Sequence, residues 1–152
     1  MEGAAPLFEK LQNELLPEVE RIAYGPGESL GYAHFCHGVV LRILKRFNEA
    51  EAAFLKSNEL NPGCVNTLRE IVLCMGKLGL NEKSLPYARE ATEVGPVDTG
   101  AWGNLAMCLL ESGEHEEARK AIDYAIDLDP QDPINPFIRD NFDRYCNQFN
   151  RK

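Results

Sequence analysis

The chain has 152 residues and a formal net charge of -8, with apolar and charged fractions that are ordinary for a folded domain. The length suits one domain with a continuous core, and the negative charge argues against general binding to nucleic acids, which attract a clustered positive face. Because no apolar run approaches the roughly 18 residues of a membrane span and the start lacks a secretory signal, we predict a cytoplasmic protein that contacts neither membrane nor nucleic acid.

The segment 1–29 is the least regular part of the chain. Its apolar residues at the spacing of one helix face are Leu7, Phe8, Leu11 and Leu15. We expect Pro17 to interrupt this amphipathic helix, because a proline inside a helix removes a hydrogen bond. Gly25-Pro26-Gly27 marks a break before the regular part of the chain begins.

The central part of the chain repeats itself at a constant spacing, here named the repeat step, which separates Pro62 from Pro96 and Pro96 from Pro130. Other positions keep their size class at the same step, namely Leu41/Met75/Leu109, His37/Ile71/Leu105, Ala50/Ser84/Ala118, Phe54/Ala88/Ile122, Ser57/Ala91/Ala125 and Leu60/Val94/Leu128. So many series in one register indicate an internal repeat.

Each unit has the spacing of two helices. In the first unit, His34, His37, Gly38 and Leu41 follow the i, i+3, i+4, i+7 pattern of a helix with one packed face. A polar break at 45–48 precedes a second helix, whose inward residues are Ala50, Phe54 and Ser57. The proline at the end of each unit stops the second helix because it cannot sit in a helix interior.

These features resemble the tetratricopeptide repeat family, whose units are about 34 residues long. The third unit matches the family motif at Trp102, Leu105, Ala106, Leu109, Gly113, Ala118, Ile122, Ala125 and Pro130. The resemblance covers residues 31–132 as three units, 31–64, 65–98 and 99–132, and departs from the motif at three positions. The first unit has His34 in place of tryptophan, the second has Val72 in place of a small residue, and Pro86 suggests that the second unit's second helix starts late.

The resemblance implies an all-α fold, a right-handed superhelical solenoid of antiparallel helix pairs with capping helices at both ends. We predict an N-terminal cap or degenerate repeat at 1–29, repeats at 30–132 and a C-terminal capping helix at 133–152, since a stacked array otherwise exposes its end face. In the last helix we expect Asn135 as N-cap and Pro136 at the first position. Its apolar stripe is Ile138, Phe142, Tyr145 and Phe149.

In this family the first helix of each pair lines a concave groove, and the resemblance therefore implies a partner-binding surface there. The residues that we predict to form it are Tyr32, Phe35, Val39, Arg42, Arg69, Leu73, Lys77, Asn104 and Met107, and we expect Leu110 on the same face. The apolar side chains among them indicate an interaction site, unless neighbouring helices cover them. One alternative is that the N-terminal helix fills the groove as a built-in pseudo-ligand.

The three cations of this surface, Arg42, Arg69 and Lys77, are suited to the carboxylates of an extended peptide, or else serve as solubilising charge. The carboxylate clamp of chaperone-binding family members requires lysine, arginine and asparagine at set positions. This chain carries Phe35, Val39, Glu70, Gly100 and Asn104 there. We therefore do not expect it to bind chaperone tails.

No metal, cofactor or catalytic function is predicted. His34, Cys36 and His37 resemble a zinc cluster, but both histidines fall on core positions and no second ligand group follows. Five cysteines without a CxxC pair fit reduced thiols, mostly buried as small apolar residues. The sequence also lacks a nucleophile motif and a glycine-rich phosphate loop.

We therefore predict a protein interaction module, a scaffold or adaptor that holds a peptide or helix of another protein in its concave groove. The alternative is a structural role, either self-assembly into a homo-oligomer or service as an accessory repeat domain of a larger protein.

Overall fold

The computed structural model describes residues 4–27, 30–142, 144 and 146. Within these ranges every regular element is helical: α1 (Ala4–Lys10), a π-helical turn (Leu11–Leu15), α2 (Leu16–Tyr24), α3 (Gly31–Ile43), α4 (Phe47–Leu60), α5 (Val65–Lys77), α6 (Asn81–Val94), α7 (Thr99–Glu111), α8 (His115–Leu128) and α9 (Ile134–Asp140). The predicted all-α solenoid of antiparallel helix pairs is confirmed. The division into caps at 1–29 and 133–152 around repeats at 30–132 stays a prediction.

Three helix pairs, α3–α4, α5–α6 and α7–α8, form the body of the solenoid, and α4 and α6 also pack on the first helix of the next pair. The turn inside each pair contains one residue in the left-handed region, at Lys45, Gly79 and Gly113. These positions are separated by the repeat step, and two of them are glycine because a side chain disfavours this conformation. The repeat of the sequence is thus a repeat of backbone conformation.

The core follows the predicted register. The side chains of Leu41, Met75 and Leu109 are buried, as are those of Phe54, Ala88 and Ile122 on the second helices. Aliphatic and aromatic groups removed from water in this way supply the main driving force for packing the pairs together.

Residue sizes at two facing positions vary in opposite directions from unit to unit. Gly38 faces Phe54, and the pairs one and two repeat steps later are Val72 with Ala88 and Ala106 with Ile122, all four of which belong to one core cluster. A Cβ atom on Gly38 would lie 2.7 Å from Cε1 of Phe54, so the largest second-helix residue requires the smallest first-helix residue. Val72, the departure from the family motif, fits because its counterpart is only alanine. Close packing therefore conserves the sum of the two volumes and leaves each residue free to vary.

Helix α6 begins at Asn81 and runs through Pro86, so the predicted late start is wrong. Ser84 and Lys83 donate their amides to the Leu80 carbonyl, and Ser84 Oγ donates to the Asn81 carbonyl at 2.7 Å. The first turn is therefore fixed before the proline is reached. Pro86 lies in the second turn of α6 and lacks an amide donor. The helix tolerates this loss because the hydrogen bonds of its first turn are already formed.

The N-terminal helix is also not interrupted at Pro17, contrary to the prediction. Lys10, Leu15 and Leu16 have right-handed helical dihedrals, and the Leu16 amide donates to the carbonyl of Leu11 five residues back. This π-helical turn widens the helix just before Pro17, whose ring would otherwise crowd the preceding turn. The helix then continues to Tyr24, and residues 25–27 form a non-helical bend, as predicted.

Helix α9 begins at Ile134, one residue before the N-cap position predicted for Asn135. The carboxylate of Asp132 accepts the amides of Ile134 at 2.7 Å and Asn135 at 3.2 Å, so an aspartate holds the start of the helix. Of the predicted apolar stripe, Phe142 is buried. Ile138 packs on the core cluster that includes Leu105, Leu109 and Ile122, here named the last core cluster. Tyr145 and Phe149 lie outside the described residues.

Candidate functional site

The concave face carries a groove made of two adjoining clefts of about 330 and 320 Å³. The first lies between α5, α6 and α7, and the second between α5, α7 and α9. Leu73, Asn104 and Met107 line both clefts and form the centre of the groove. Three predicted site residues are thus brought together by successive first helices, as expected from their position in the repeat.

Lys77 and Glu111 border the first cleft, which places one group of each sign at its edge. Its inner wall includes Ser84 and Cys108, whose Oγ and Sγ atoms lie 3.2 Å apart. Burial raises the pKa of the Cys108 thiol, which therefore stays protonated at neutral pH. The wall is consequently uncharged and offers no activated nucleophile.

The second cleft contains an ion pair that joins α5 to the residue preceding α7. Arg69 Nη1 lies 3.3 Å from Oδ2 of Asp98, whose other carboxylate oxygen accepts the Ala101 amide at 2.7 Å and caps α7. The guanidinium lies close against Gly100, where a Cβ atom would stand 2.3 Å from Nη2 of Arg69. A larger residue at this position would displace the Arg69 side chain, because α5 brings the guanidinium onto the backbone of α7.

A second glycine of α7 receives a side chain from α9. A Cβ atom on Gly103 would lie 2.5 Å from Oδ1 of Asn135, so the carboxamide fills the place of the missing side chain. Asn135 is buried, and its Nδ2 has no hydrogen-bond partner among the described residues. The cleft wall therefore includes a polar donor that the described chain itself does not satisfy.

Two of the three predicted groove cations are paired within the chain. Arg42 Nε lies 2.7 Å from Oε2 of Glu70, between the first and second repeats, and Arg69 is paired with Asp98. Asp132 adds a carboxylate to the second cleft. The groove is therefore close to electrically balanced, and the expectation of a positive surface for peptide carboxylates does not fit this geometry.

The predicted residues of the first repeat lie apart from the groove centre. Tyr32 and Phe35 line a smaller cleft of about 140 Å³ with the start of α5, and Tyr32 is 76% exposed. A hydrogen bond with Cys36 raises the pKa of the Tyr32 hydroxyl. Phe35 and Val39 are half-buried against the core cluster that includes Leu41 and Phe54, here named the first core cluster. The centroid of the Phe35 ring lies 5.6 Å from that of Phe54.

Leu110, which was expected on the concave face, is fully buried, so this expectation is wrong. Leu110 packs with the other apolar residues of α7 and α8 in the last core cluster. The sequence reasoning also missed Ile134 and Ile138 of α9, which line the second cleft. Ile134 lies one repeat step after Gly100, and Ile138 lies one repeat step after Asn104. Continuing the repeat register into α9 would therefore have predicted both.

The two histidines of α3 are buried at the joint with the N-terminal helix, as their core positions predicted. The Tyr24 ring meets both imidazoles edge-on, with centroids 4.9 Å from His34 and 5.3 Å from His37. The Tyr24 hydroxyl lies 3.2 Å from Nδ1 of His37, and Glu20 lies 3.4 Å from its Nε2. No cluster of three potential metal ligands occurs among the described residues.

The five cysteines all lie in the described part of the chain and form no disulfide bond there. Cys74 and Cys108 are buried, as expected of cysteines used as small apolar residues, whereas the other three are half-buried. Burial raises the pKa of Cys74 to about 11. Among the described helices, none is both long and apolar enough to cross a membrane.

Two curated proteins resemble part of this chain. Anaphase-promoting complex subunit 3 of Schizosaccharomyces pombe is 31% identical over 96 residues, which are 61% of this chain and 14% of that protein. Small glutamine-rich tetratricopeptide repeat-containing protein 2 of Mycosarcoma maydis is 24% identical over 90 residues, 59% of this chain and 26% of that protein. The chain therefore spans only a small part of either relative.

Solved structures share the fold at low identity. YrrB, described as a tetratricopeptide repeat protein with an unusual peptide-binding site, has a TM-score of 0.77 at 21% identity, covering 91% of this chain and 71% of that one. The first such domain of Spaghetti (RPAP3), bound to an HSP90 peptide, has a TM-score of 0.71 at 13% identity, covering 75% of this chain and 90% of that one.

The sequence profiles of the tetratricopeptide repeat match residues 33–64 and 76–133. These ranges include most of the helix pair α3–α4, the whole pair α7–α8 and helix α6. Together with the residue register and the observed helix pairs, the matches identify the chain as a member of the tetratricopeptide repeat family.

Proposed function

We propose that the chain is a protein interaction module that binds a peptide segment of another protein in the groove formed by α5, α7 and α9. The observation that carries this proposal is the continuity of the two clefts through Leu73, Asn104 and Met107. An apolar strip flanked by polar groups on a concave face is the usual composition of a peptide site. Binding is also the function that a groove without an activated nucleophile serves best.

The groove suits an extended peptide with apolar side chains and little net charge. Leu73 and Met107 offer apolar contact area, and methionine adapts its shape to different partners. The Asn104 carboxamide in the centre of the groove is suited to the amide and carbonyl groups of a peptide backbone. Because the groove charges are nearly balanced, we expect affinity to come from apolar contact rather than from carboxylate capture.

Similar proteins support binding of this kind without naming the partner. YrrB is described by a peptide-binding site, and the Spaghetti domain by its HSP90 peptide. The present chain lacks the clamp residues for chaperone tails, so we propose a different peptide class. We also propose that the chain can act as an accessory repeat domain of a larger protein. Its cysteines, none of which is in a disulfide bond, suit a cytoplasmic location.

The proposal is tested with a peptide selected from a random display library against the purified chain. Its affinity is then measured by calorimetry for the native sequence and for the double variant Leu73→Ala/Met107→Ala. We expect a loss of about 2 kcal/mol or more, roughly a 30-fold weakening, because central apolar contacts dominate such interfaces.

The matched control is Val97→Ala, which shortens an exposed apolar side chain in the loop before α7 that lines neither cleft. This variant should bind like the native chain. Equal affinity of the groove variant and the control would show that the peptide does not bind in the groove.

A further inference from the structure

The N-terminal helix exposes an apolar surface that the rest of the described chain leaves uncovered. Leu7, Phe8, Leu15 and Ile22 are all exposed, although leucine, phenylalanine and isoleucine are the residues most often buried. The π-helical turn between α1 and α2 contains no buried residue. A contiguous apolar surface of this kind marks a contact with another chain.

Helix α2 takes the place of a second helix in a repeat that precedes the first. Leu16 and Ala23 lie one repeat step before Ala50 and Ser57, and all four side chains are buried. Like α4 against α5 and α6 against α7, α2 packs against the first helix of the next pair. The described N-terminal segment therefore contains half of a repeat in its normal place.

Helix α1 carries the sequence of the other half but does not occupy its place. Leu7 lies one repeat step before Leu41, and the same step continues to Met75 and Leu109. Those three side chains are 0%, 3% and 1% exposed, whereas Leu7 is 59% exposed. Among the described residues, the side chain suited to a first helix is present without the packing that buries its counterparts.

Residues 4–24 contain no turn that would fold α1 back onto α2. Leu11 falls at the position of Lys45, Gly79 and Gly113, each of which has a left-handed backbone. A leucine disfavours that conformation because its Cβ approaches the carbonyl oxygen. The backbone instead stays helical, as the Leu16 to Leu11 hydrogen bond shows, and α1 and α2 form one continuous helix.

We propose that the vacant first-helix place beside α2 is filled by α1 of a second copy of this chain. The two continuous helices of residues 4–24 then lie antiparallel, and each α1 packs on the α2 of its partner. This exchange is reciprocal, so it forms a closed two-fold dimer and leaves no further copy of the surface open.

A second copy is the favoured occupant because the missing element is this chain's own sequence in the repeat register. Because α1 and α2 form one continuous helix and not a hairpin, α1 cannot pack on α2 of its own chain. It can still pack on α2 of a second copy. Exchange of an identical element across a hinge is a common route to dimers. The surface is separate from the groove, since no residue of 4–27 lines either of the two groove clefts.

Sedimentation equilibrium of the complete chain at micromolar concentrations tests the dimer. We expect twice the chain mass for the native sequence and a monomer for Leu7→Asp, which places a charge in the contact without removing a core residue. The control is Phe137→Asp on α9, whose side chain is 59% exposed like that of Leu7. It should remain a dimer, and circular dichroism should show all variants equally helical.

Leu11→Gly separates exchange between copies from closure within one copy. Glycine restores the residue found at Gly79 and Gly113, so α1 should fold back and the dimer should become a monomer whose α1 amides remain protected from hydrogen exchange. In the native dimer, isotope-filtered NMR on mixed labelled copies should show Leu7 methyls contacting Leu16 only between copies. A native monomer, a dimer that survives Leu7→Asp, or contacts within one copy would each overturn the proposal.

Discussion

The first and third repeats fill the same positions with opposite chemistry. In the third, the Trp102 ring meets that of Tyr124 edge-on with centroids 4.6 Å apart, and Leu105 packs in the last core cluster. In the first, the corresponding residues are His34 and His37, both buried beside Tyr24. The contact made by Trp102 and Leu105 in the third repeat contains no group that changes its protonation near neutral pH. The contact made by His34 and His37 in the first repeat contains two titratable imidazoles.

The difference teaches that a repeat position accepts polar side chains where the neighbouring helix supplies partners for them. Imidazoles are accepted in the first repeat because α2 brings polar partners, with Glu20 at His37 Nε2 and the Tyr24 hydroxyl at its Nδ1. Buried polar groups persist only where such partners exist. The third repeat has a different neighbour and keeps the apolar residues of the family motif.

The largest expected effect breaks the packing of the first repeat. Phe54→Ala should lower the free energy of unfolding by about 3–5 kcal/mol, since it removes a fully buried ring that faces Gly38. The corresponding change Ile122→Ala should cost less because the side chain removed is smaller. Urea denaturation gives the totals, and hydrogen exchange should place the losses in different repeats; equal losses would contradict the difference in packing.

A smaller effect tests the opposite variation in size. Gly38→Ala should destabilise the chain by about 1–3 kcal/mol because the added methyl meets the Phe54 ring. The double variant Gly38→Ala/Phe54→Ile reproduces the pair found at Ala106 and Ile122, and should recover much of the loss. A cycle of the two single variants and the double variant measures this coupling. Strict additivity would show that the two positions do not share one volume.

The pH dependence should distinguish these two contacts. Burial, followed by the nearby His37 and Lys56, lowers the pKa of His34 below its ordinary 6.5. Its contribution to stability is therefore complete above pH 6.5 and is lost as the pH falls through the lowered value, because the unfolded chain takes up the proton first.

We expect this group to make Tm lower at pH 5.5 than at pH 7.5, as measured by calorimetry. His34→Leu installs the residue type found at Leu68, the counterpart in the second repeat, and should flatten that part of the profile. An unchanged profile would assign the loss to other groups.

The smallest effect concerns the ion pairs between α6 and the start of α8. Arg89 Nη2 lies 3.1 Å from Glu117 and 3.3 Å from Glu114, and all three side chains are exposed. Arg89→Gln should cost no more than about 1 kcal/mol, and the difference should vanish in high salt. Thermal unfolding at two salt concentrations measures it; a larger, salt-independent loss would show that the aliphatic stem of Arg89 does the packing.

The repeat, its helix pairs and most core positions could be predicted because spacing alone determines which residues share a face. The positions of Leu41, Met75 and Leu109 illustrate this, since one step along the sequence returns to the same packing environment. The same reasoning placed Leu73 and Met107 on one face, where they line both clefts, while their role in binding a partner stays a prediction.

Other features depend on contacts that spacing does not contain. The start of α6 before Pro86 and that of α9 after Asp132 are set by local hydrogen bonds. The pairing of Arg42 with Glu70 requires the distance between two repeats, which a linear pattern leaves open. The continuous N-terminal helix was missed because a π-helical turn accommodates a proline that usually ends a helix.

The fit of Asn135 into the space above Gly103 has a consequence for evolution of the groove. The carboxamide occupies the space that a side chain at position 103 would take, and Ile134 and Ile138 of the same helix line the cleft. An alanine at position 103 would compete with the Asn135 carboxamide for this space and so would act on the helix that carries Ile134 and Ile138. Partner preference can therefore change through a residue that itself presents no side chain to the partner.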